Sequence, residues 1–439
     1  MGGNGSKTLR NRRSHLSKIN PFCCIGRCGK RSAICRQWRP GVSLHGRELL
    51  DLKARPKCTA MVQIWSSPTV ENILRLFFLS ENRRAVTMAS SVSLEGDQVK
   101  QKQRIEASKL YFDVPPDEKD PVVYSSSYNI SFLGIEKLHP FDASKWGRIQ
   151  KFLADEGVLK RKRIVEPLEA TRDDLLVVHT EKYLDSLKSS SVVTEIAEVP
   201  PIALLPNFLV QWKVLQPFRK QVGGTILSAK LAKERGWAIN IGGGFHHCCA
   251  NEGGGFCAYA DITLAIQFAY TRLAITRVMI IDLDAHQGNG HARDFMNDDR
   301  VYIIDLYNTD IYPRDFEAKK RINQPVALKS FTTTEKYLAL LSQELKKAEN
   351  IFKPELVVYN AGTDVLEGDP LGRLLVSPEG VKQRDEMVFQ FAKDQNAPVI
   401  MLTSGGYMKT SARVIADSIT NLAAKRLISL PSGAPEVKS

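Results

Sequence analysis

Four polar clusters, far apart along the chain, contain the residue types that metal-assisted hydrolysis uses. They are Gly242–His247, Asp282–His286, Asn360–Asp364 and Thr403–Tyr407. Carboxylates and imidazoles are ordinary ligands for a divalent cation, imidazole transfers protons near neutral pH, and a phenol donates a strong hydrogen bond. Each cluster directly follows a short apolar run, so the four are predicted to lie at one edge of a sheet. The pattern indicates attack by water on a carbonyl group.

The strongest metal-ligand candidates are Asp284, His286 and Asp364. A catalytic zinc ion usually has three protein ligands and one open position, which two carboxylates and one imidazole would provide. The alternative is that each Asp only caps a loop, which is common after a strand. Three candidates at one predicted edge favour the metal site over three unrelated caps.

The adjacent pair His246 and His247 is suited to proton transfer. One imidazole would hold the attacking water as general base and then protonate the leaving amine. The other would carry positive charge or donate a hydrogen bond, and Asp282 would orient one of the two rings. Joint ligation of one ion by both rings is the alternative, although adjacent side chains diverge on extended backbone.

Tyr407 follows two glycines and would stabilise the oxyanion that forms when water adds to an amide. Phe245, Gly255 and Phe256 are predicted to form walls of a narrow channel for the methylene stem of a lysine, and Tyr307 is assigned to the same channel. Three nearby cysteines, Cys248, Cys249 and Cys257, are interpreted as small buried residues without a nucleophilic role.

The elements that must position these residues alternate along the chain. Apolar runs predict buried strands, and the runs between them have helical spacing, as in Glu335–Ala348 and Gly380–Lys393. The predicted strands are Trp237–Ile241, Val278–Ile281, Val301–Ile304, Leu356–Tyr359 and Val399–Leu402. This alternation predicts an α/β fold with a mostly parallel central sheet flanked by helices on both faces.

The positive charge of the chain is concentrated before this region. The net charge is +13, but residues 1–100 alone contain 18 Lys and Arg against 6 Asp and Glu. The remainder is nearly neutral, so no direct nucleic-acid binding by the folded domain is predicted. We divide the chain into a basic, disordered extension (1–115), a catalytic domain (116–430) and a flexible tail (431–439).

The basic extension has several interpretations. Residues 1–47 hold eleven Lys or Arg and no acid, as in an organelle transit peptide or a disordered arm. Met1, Gly2 and Ser6 also fit a myristoylation pattern, and only such lipidation would bring the chain to a membrane. Met61 and Met88 are alternative starts. A zinc knuckle built from Cys23, Cys24, Cys28 and Cys35 is a further alternative, although these cysteines lack paired C-x-x-C spacing.

Several motifs resemble those of the histone deacetylases, with the closest likeness to class IV, the histone deacetylase 11 type. They are Leu138–Asp142, Gly242–His247, Gly255–Asp261, Ile281–His291 and Tyr359–Asp369. The likeness runs from about residue 121 to about 428. It implies an arginase-like single domain that acts on N-ε-acyl-lysine, and class IV enzymes also remove long fatty acyl groups.

The resemblance assigns roles to individual residues. It implies zinc held by Asp284, His286 and Asp364, with His247 as general base and later acid. His246 would assist electrostatically with Asp282 behind it, and Tyr407 would polarise the carbonyl. A structural potassium ion is expected near the Asp282–His286 loop. Asn289 stands where class I relatives have an acid, so it stabilises a charged His247 less than a carboxylate would.

The leading hypothesis is therefore zinc-dependent deacylation of lysine on histones or other proteins, with a role in chromatin and transcription and with corepressor complexes as partners. The expected location is the nucleus and cytoplasm, or a plastid or mitochondrion if the basic segment is a transit peptide. One alternative is a small-molecule deacetylase acting on polyamine-type amines. Another is a non-catalytic scaffold that binds acyl-lysine.

Overall fold

A seven-stranded sheet forms the centre of the molecule, for which a computed structural model describes residues 96–130, 142 and 144–430. All strands run parallel, in the order β1-β2-β7-β6-β3-β4-β5. They are β1 (Val122–Val123), β2 (Trp237–Asn240), β3 (Val278–Asp282), β4 (Val301–Asn308), β5 (Gln324–Leu328), β6 (Leu356–Asn360) and β7 (Val399–Leu402). The predicted parallel α/β architecture is confirmed.

Helices cover both faces of this sheet, as parallel strands require. They are α1 (residues 96–107), α2 (Lys145–Asp155), α3 (Arg172–Leu175), α4 (Glu181–Ser186), α5 (Ser190–Ala197), α6 (Asn207–Val210), α7 (Gln216–Arg235), α8 (Asp261–Arg272), α9 (Asn289–Asp294), α10 (Phe316–Lys319), α11 (Thr334–Ile351), α12 (Pro378–Asp394) and α13 (Ser411–Ala424). Short 3-10 turns occupy Ser126–Tyr128, Arg161–Arg163 and Pro200–Leu204, and a π-helical turn, Gln211–Leu215, precedes α7. Among the described residues, no helix is both long and apolar enough to cross a membrane.

The folded domain begins earlier than residue 116, which was the predicted start of the catalytic domain. Ile105, Leu110 and Tyr111 are buried in the main core, and Gln101 donates to the Val177 carbonyl at 2.7 Å. The amphipathic spacing of this short helix is weak in the sequence, and its burial depends on distant residues. Residues 96–115 therefore belong to the folded domain and not to the basic extension.

Some predictions concern residues outside the part of the chain that the structure describes. These residues are 1–95, 138–141 and 431–439.

Strand order and register bring the polar clusters together. The four strands that end in polar clusters, β2, β7, β6 and β3, are adjacent in the sheet. Their last residues are also in register: Asp282 pairs with Asn360, Asn360 with Leu402, and Leu402 with Asn240. All four chains therefore leave the sheet at the same level, and the loops that follow share one crevice.

A buried arginine connects two of these loops. Arg384, on α12, is completely buried and donates through Nη1 to the Leu283 and Gly362 carbonyls. Its Nε donates to Asp385 at 2.9 Å, and Asp385 also accepts from the Tyr359 and Ser418 hydroxyls. One guanidinium thus fixes the loop after β3 to the loop after β6.

We expect Arg384→Met to lower the free energy of unfolding by about 3–5 kcal/mol, because it leaves the buried Asp385 charge uncompensated. Urea denaturation measures this change. Arg413→Met is the matched control, since Arg413 pairs with Glu156 and Asp417 at the surface and should cost no more than about 1 kcal/mol. Equal losses in the two variants would contradict the role assigned to Arg384.

Candidate active site and metal centre

The three predicted ligands lie together at the end of the sheet. The ligand atoms of Asp284, His286 and Asp364 are all within 4.8 Å of one another, and the three side chains are buried. His286 Nδ1 is 2.7 Å from Asp364 Oδ2 and 3.1 Å from Asp284 Oδ1. The amides of Ala285 and His286 donate to the two carboxylates and hold them in place. Two carboxylates and one imidazole form a donor set that suits a divalent cation.

The electrostatics of this set also fit a cation. Burial and the Asp284 charge raise the pKa of Asp364 to about 7, because two carboxylates in a dry site resist ionising together. Burial opposes a charge on His286, but both carboxylates outweigh it and raise its pKa to about 10. A proton here occupies the place that a bound metal ion would take, and metal binding would release it.

The two adjacent histidines occupy different environments. Asp282 Oδ2 lies 2.8 Å from His246 Nδ1, and burial is outweighed by Asp282 and Asp284, which raise the pKa of His246 to about 9. The Asn289 amide oxygen lies 2.8 Å from His247 Nδ1. Burial, with repulsion from the charged rings of His246 and His286, holds the pKa of His247 well below its usual range. One ring is therefore cationic and the other neutral.

Tyr407 lines the same pocket. Its amide donates to Asp369 at 2.9 Å, and burial, with the nearby Asp364 charge, keeps the pKa of its phenol well above 10. The loop before it is held by Lys145, which is completely buried on α2 and donates to the Ser404 and Gly405 carbonyls. The phenol thus stays a hydrogen-bond donor at neutral pH.

The pocket itself is small and partly aromatic. Its volume is about 40 Å³, and Phe245, Gly255 and Phe256 are among the residues that line it. Phe218 packs edge-on against both phenylalanines, with ring centroids 5.0 and 5.2 Å away. A Cβ at Gly255 would lie 2.5 Å from the His247 ring, so only glycine fits there. Trp146, which the sequence analysis did not select, is a further wall.

Tyr307 does not belong to this pocket, and its assignment to the channel was wrong. It lies on β4 and packs in the second core cluster with Ala318 and Ile322. Successive side chains of a strand face opposite sides, and the opposite side at this point belongs to Leu306. Tyr312, five residues later, instead packs edge-on against His247 with ring centroids 4.9 Å apart.

A further buried carboxyl group lies behind the first cluster, and burial, with the Asp282 charge, holds its pKa well above the usual range. Asp305, in register with Asp282, is completely buried; its Oδ2 accepts from the Gly288 amide at 2.9 Å. Within the described residues its Oδ1 has no hydrogen-bond partner. An orphaned carboxylate oxygen beside Asp282 fits a nearby cation. The potassium ion expected near this loop stays a prediction.

The chain is similar in sequence to the members of one protein family. The histone deacetylase domain family matches residues 139–423. Histone deacetylase 2 of Arabidopsis thaliana is 62% identical over 352 residues, which cover 80% of this chain and 90% of that protein. The chain belongs to the histone deacetylase family. Histone deacetylase 1 of Homo sapiens is 28% identical over 286 residues, covering 61% of this chain and 57% of that protein.

The fold of this histone deacetylase is shared by a solved relative. The crystal structure of the HDA15 HD domain superposes with a TM-score of 0.57 at 20% identity, covering 73% of this chain and 91% of that one. Family membership makes the protein a hydrolytic deacetylase that acts on acetylated lysine. The cluster of Asp284, His286 and Asp364 lies within the residues that the family matches.

Two residues that support the catalytic loops of the deacetylase were not selected from the sequence. Asp261 is completely buried and accepts from the Gly244 and Phe245 amides, both at 2.8 Å. His179 contacts both ends of residues 250–260, the segment that contains Gly255 and Phe256. Its Nδ1 is 3.2 Å from the Ala250 carbonyl, and its Nε2 accepts from the Ala260 amide at 3.1 Å. Asp261 ends a motif that was noted, whereas His179 carries no local signal.

We expect the stability of the deacetylase to depend on pH through His179. Burial lowers the pKa of this imidazole to about 4, below the value near 6.5 of an unfolded chain. The unfolded state therefore binds the proton first, and about 3 kcal/mol of stability is lost as the pH falls from 6.5 to 4. Urea denaturation at several pH values should show a steeper loss for the wild type than for His179→Gln. Parallel curves would contradict this.

Proposed function

We propose that the protein is a zinc-dependent hydrolase of N-ε-acyl-lysine that prefers a short acyl group. The observation that carries the proposal is the buried cluster of Asp284, His286 and Asp364 beside the adjacent rings of His246 and His247, whose centroids are 4.1 Å apart. A zinc ion held by these three residues would supply Lewis-acid polarisation of the acyl carbonyl and of water. The motifs that resemble class IV support assignment to that class.

The residues around the cluster support a division of labour. His247 is neutral, and its Nδ1–H donates to Asn289, so its Nε2 is free of a proton and accepts one from the attacking water. The water oxygen bonds to the acyl carbon while the Tyr407 phenol donates to the carbonyl oxygen. As the C–N bond breaks, His247 returns the proton to the lysine amine. The products are a carboxylate and a free lysine side chain.

His246 supports this reaction by its charge. Its imidazolium, which Asp282 keeps in place, would stabilise the negative charge that develops on the carbonyl oxygen. Asn289 supplies a neutral acceptor for His247, so the ring is not biased toward its charged form as a carboxylate would bias it. We infer that the two rings have distinct roles, His247 moving the proton and His246 stabilising charge.

The substrates we propose are acetylated lysines of histones or other proteins, with corepressor complexes as partners in the nucleus and cytoplasm. Support comes from the family, whose named members include histone deacetylases of plants and animals. The narrow pocket and its aromatic walls suit an extended lysine side chain better than a bulky amine.

Asp284→Ala should remove zinc from the purified protein and reduce kcat/KM by more than roughly 100-fold. The loss should be this large because Asp284 is itself a proposed ligand, and removing only a hydrogen-bond partner of a ligand costs roughly 10–100-fold. Metal content is measured by mass spectrometry and turnover with an acetyl-lysine peptide. Asp155→Asn, a surface carboxylate paired with Lys151, is the control and should keep both. Full activity of the wild type after zinc is stripped would exclude the proposed mechanism.

The acyl chain length is tested separately. A volume of about 40 Å³ holds only about three water-sized groups, so an acetyl group fits and a myristoyl chain requires Trp146 or Phe256 to move. We expect kcat/KM for an acetyl-lysine peptide to exceed that for the matched myristoyl-lysine peptide by roughly tenfold or more, equivalent to about 1.4 kcal/mol. A preference for the myristoyl peptide would overturn the short-acyl proposal and leave the zinc mechanism intact.

A further inference from the structure

One buried histidine has no part in the chemistry described so far. His291 lies in the first turn of α9 and is 1% exposed. Its Nε2 is 2.8 Å from Asp282 Oδ2, and within the described part of the chain its Nδ1 has no hydrogen-bond partner. The one polar contact of this ring is therefore with Asp282, the carboxylate that orients His246.

Both imidazoles contact the same carboxylate oxygen. Asp282 Oδ2 is 2.8 Å from His246 Nδ1 and 2.8 Å from His291 Nε2. An ionised carboxylate only accepts hydrogen bonds, so both nitrogens must carry protons. His291 therefore donates to Asp282 through Nε2.

The other oxygen of Asp282 is also held. Its Oδ1 accepts from the Asn360 amide group at 3.0 Å and from the Asp284 backbone amide at 3.2 Å. Of the four donors, His291 and His246 both bond to Oδ2, whose two lone pairs accept one hydrogen bond from each ring. Without His291 the carboxylate could rotate about its χ2 bond toward His246, and the His246 ring would move with it.

The backbone leaves room for this contact. A Cβ on Gly288 would lie 2.1 Å from His291 Nε2 and 2.4 Å from Asp282 Oδ2. A side chain at that position would therefore occupy the space of the hydrogen bond itself. Gly288 thus leaves open the space in which the His291 ring, three residues later, reaches the Asp282 carboxylate.

We propose that His291 is a positioning residue for deacylation: it holds the Asp282 carboxylate in the orientation that places the His246 ring beside the reacting carbonyl. The inference rests on the proposed function, because the role of His246 belongs to that proposal. His246, Asp282 and His291 then act as one unit, in which His291 touches neither substrate nor metal ligand.

The test uses a matched pair of variants, His291→Gln and His291→Met, which have similar length and volume. The glutamine amide can donate to Asp282, whereas the methionine thioether cannot. We expect His291→Met to lower kcat roughly 10–100-fold, the range for loss of such a partner, with KM and zinc content within about twofold of wild type. We expect His291→Gln to recover most of that loss.

A double-mutant cycle separates positioning from general packing. In the His246→Ala background, His291→Met should change the residual kcat little, because the ring through which it acts is absent. If His291→Met lowers kcat equally in both backgrounds, or if His291→Gln is as impaired as His291→Met, the proposal is wrong. Wild-type kcat in folded His291→Met would overturn it as well.

A second readout does not require activity. With the histidines labelled with ¹⁵N, spectra of the metal-free protein report whether the Nδ1–H group of His246 is held in a hydrogen bond to Asp282. The Nδ1–H signal of His246 should persist in His291→Gln and shift or broaden in His291→Met. An unchanged signal in folded His291→Met would contradict positioning, even if the protein proved inactive and the proposed function failed. If His291→Met does not fold, the His246 Nδ1–H signal is compared between the wild type and His291→Gln instead. Loss of this signal in His291→Gln would contradict the proposal.

Discussion

The burial of several carboxyl groups in one dry crevice is the constraint on which the rest of this structure depends. Four aspartates, Asp282, Asp284, Asp305 and Asp364, lie at the ends of adjacent strands with at most 2% exposure. Such charges are tolerated only when donors and cations compensate them. Imidazoles and backbone amides provide this compensation, and the proposed chemistry uses the same groups. The electrostatic requirement of the fold and the requirement of the reaction are met by one set of atoms.

The sequence predicted the fold at the strands that are apolar throughout. β2, β3, β6 and β7 are buried on both faces, so their runs of Val, Ile and Leu stand out, and their ends were placed within one residue of the observed ends. β5 is an edge strand with exposed positions, and β1 has only two residues, so neither gave an apolar run. The edge strands are stabilised by pairing, which local sequence does not report.

Site residues that lie in short polar motifs after strands could be predicted from the sequence. Residues whose place depends on packing between distant segments could not. Asp284, His286 and Asp364 were identified because each follows a strand and the strands share a crevice. Tyr307 was misplaced and Tyr312 missed because the observed strand continues to Asn308, four residues beyond the predicted end. His179 contacts backbone groups more than 70 residues away, and no local pattern encodes such a contact.

The strand order also bears on how the enzyme is made. β7, the last strand in the chain, is inserted between β2 and β6 in the middle of the sheet. During synthesis, both of those neighbours therefore emerge from the ribosome with an open edge, which invites pairing with other chains until residues 399–402 arrive. A chain that ends before residue 399 lacks both this central strand and Tyr407, so it has no complete active site. Activity thus requires the chain to extend at least through Tyr407.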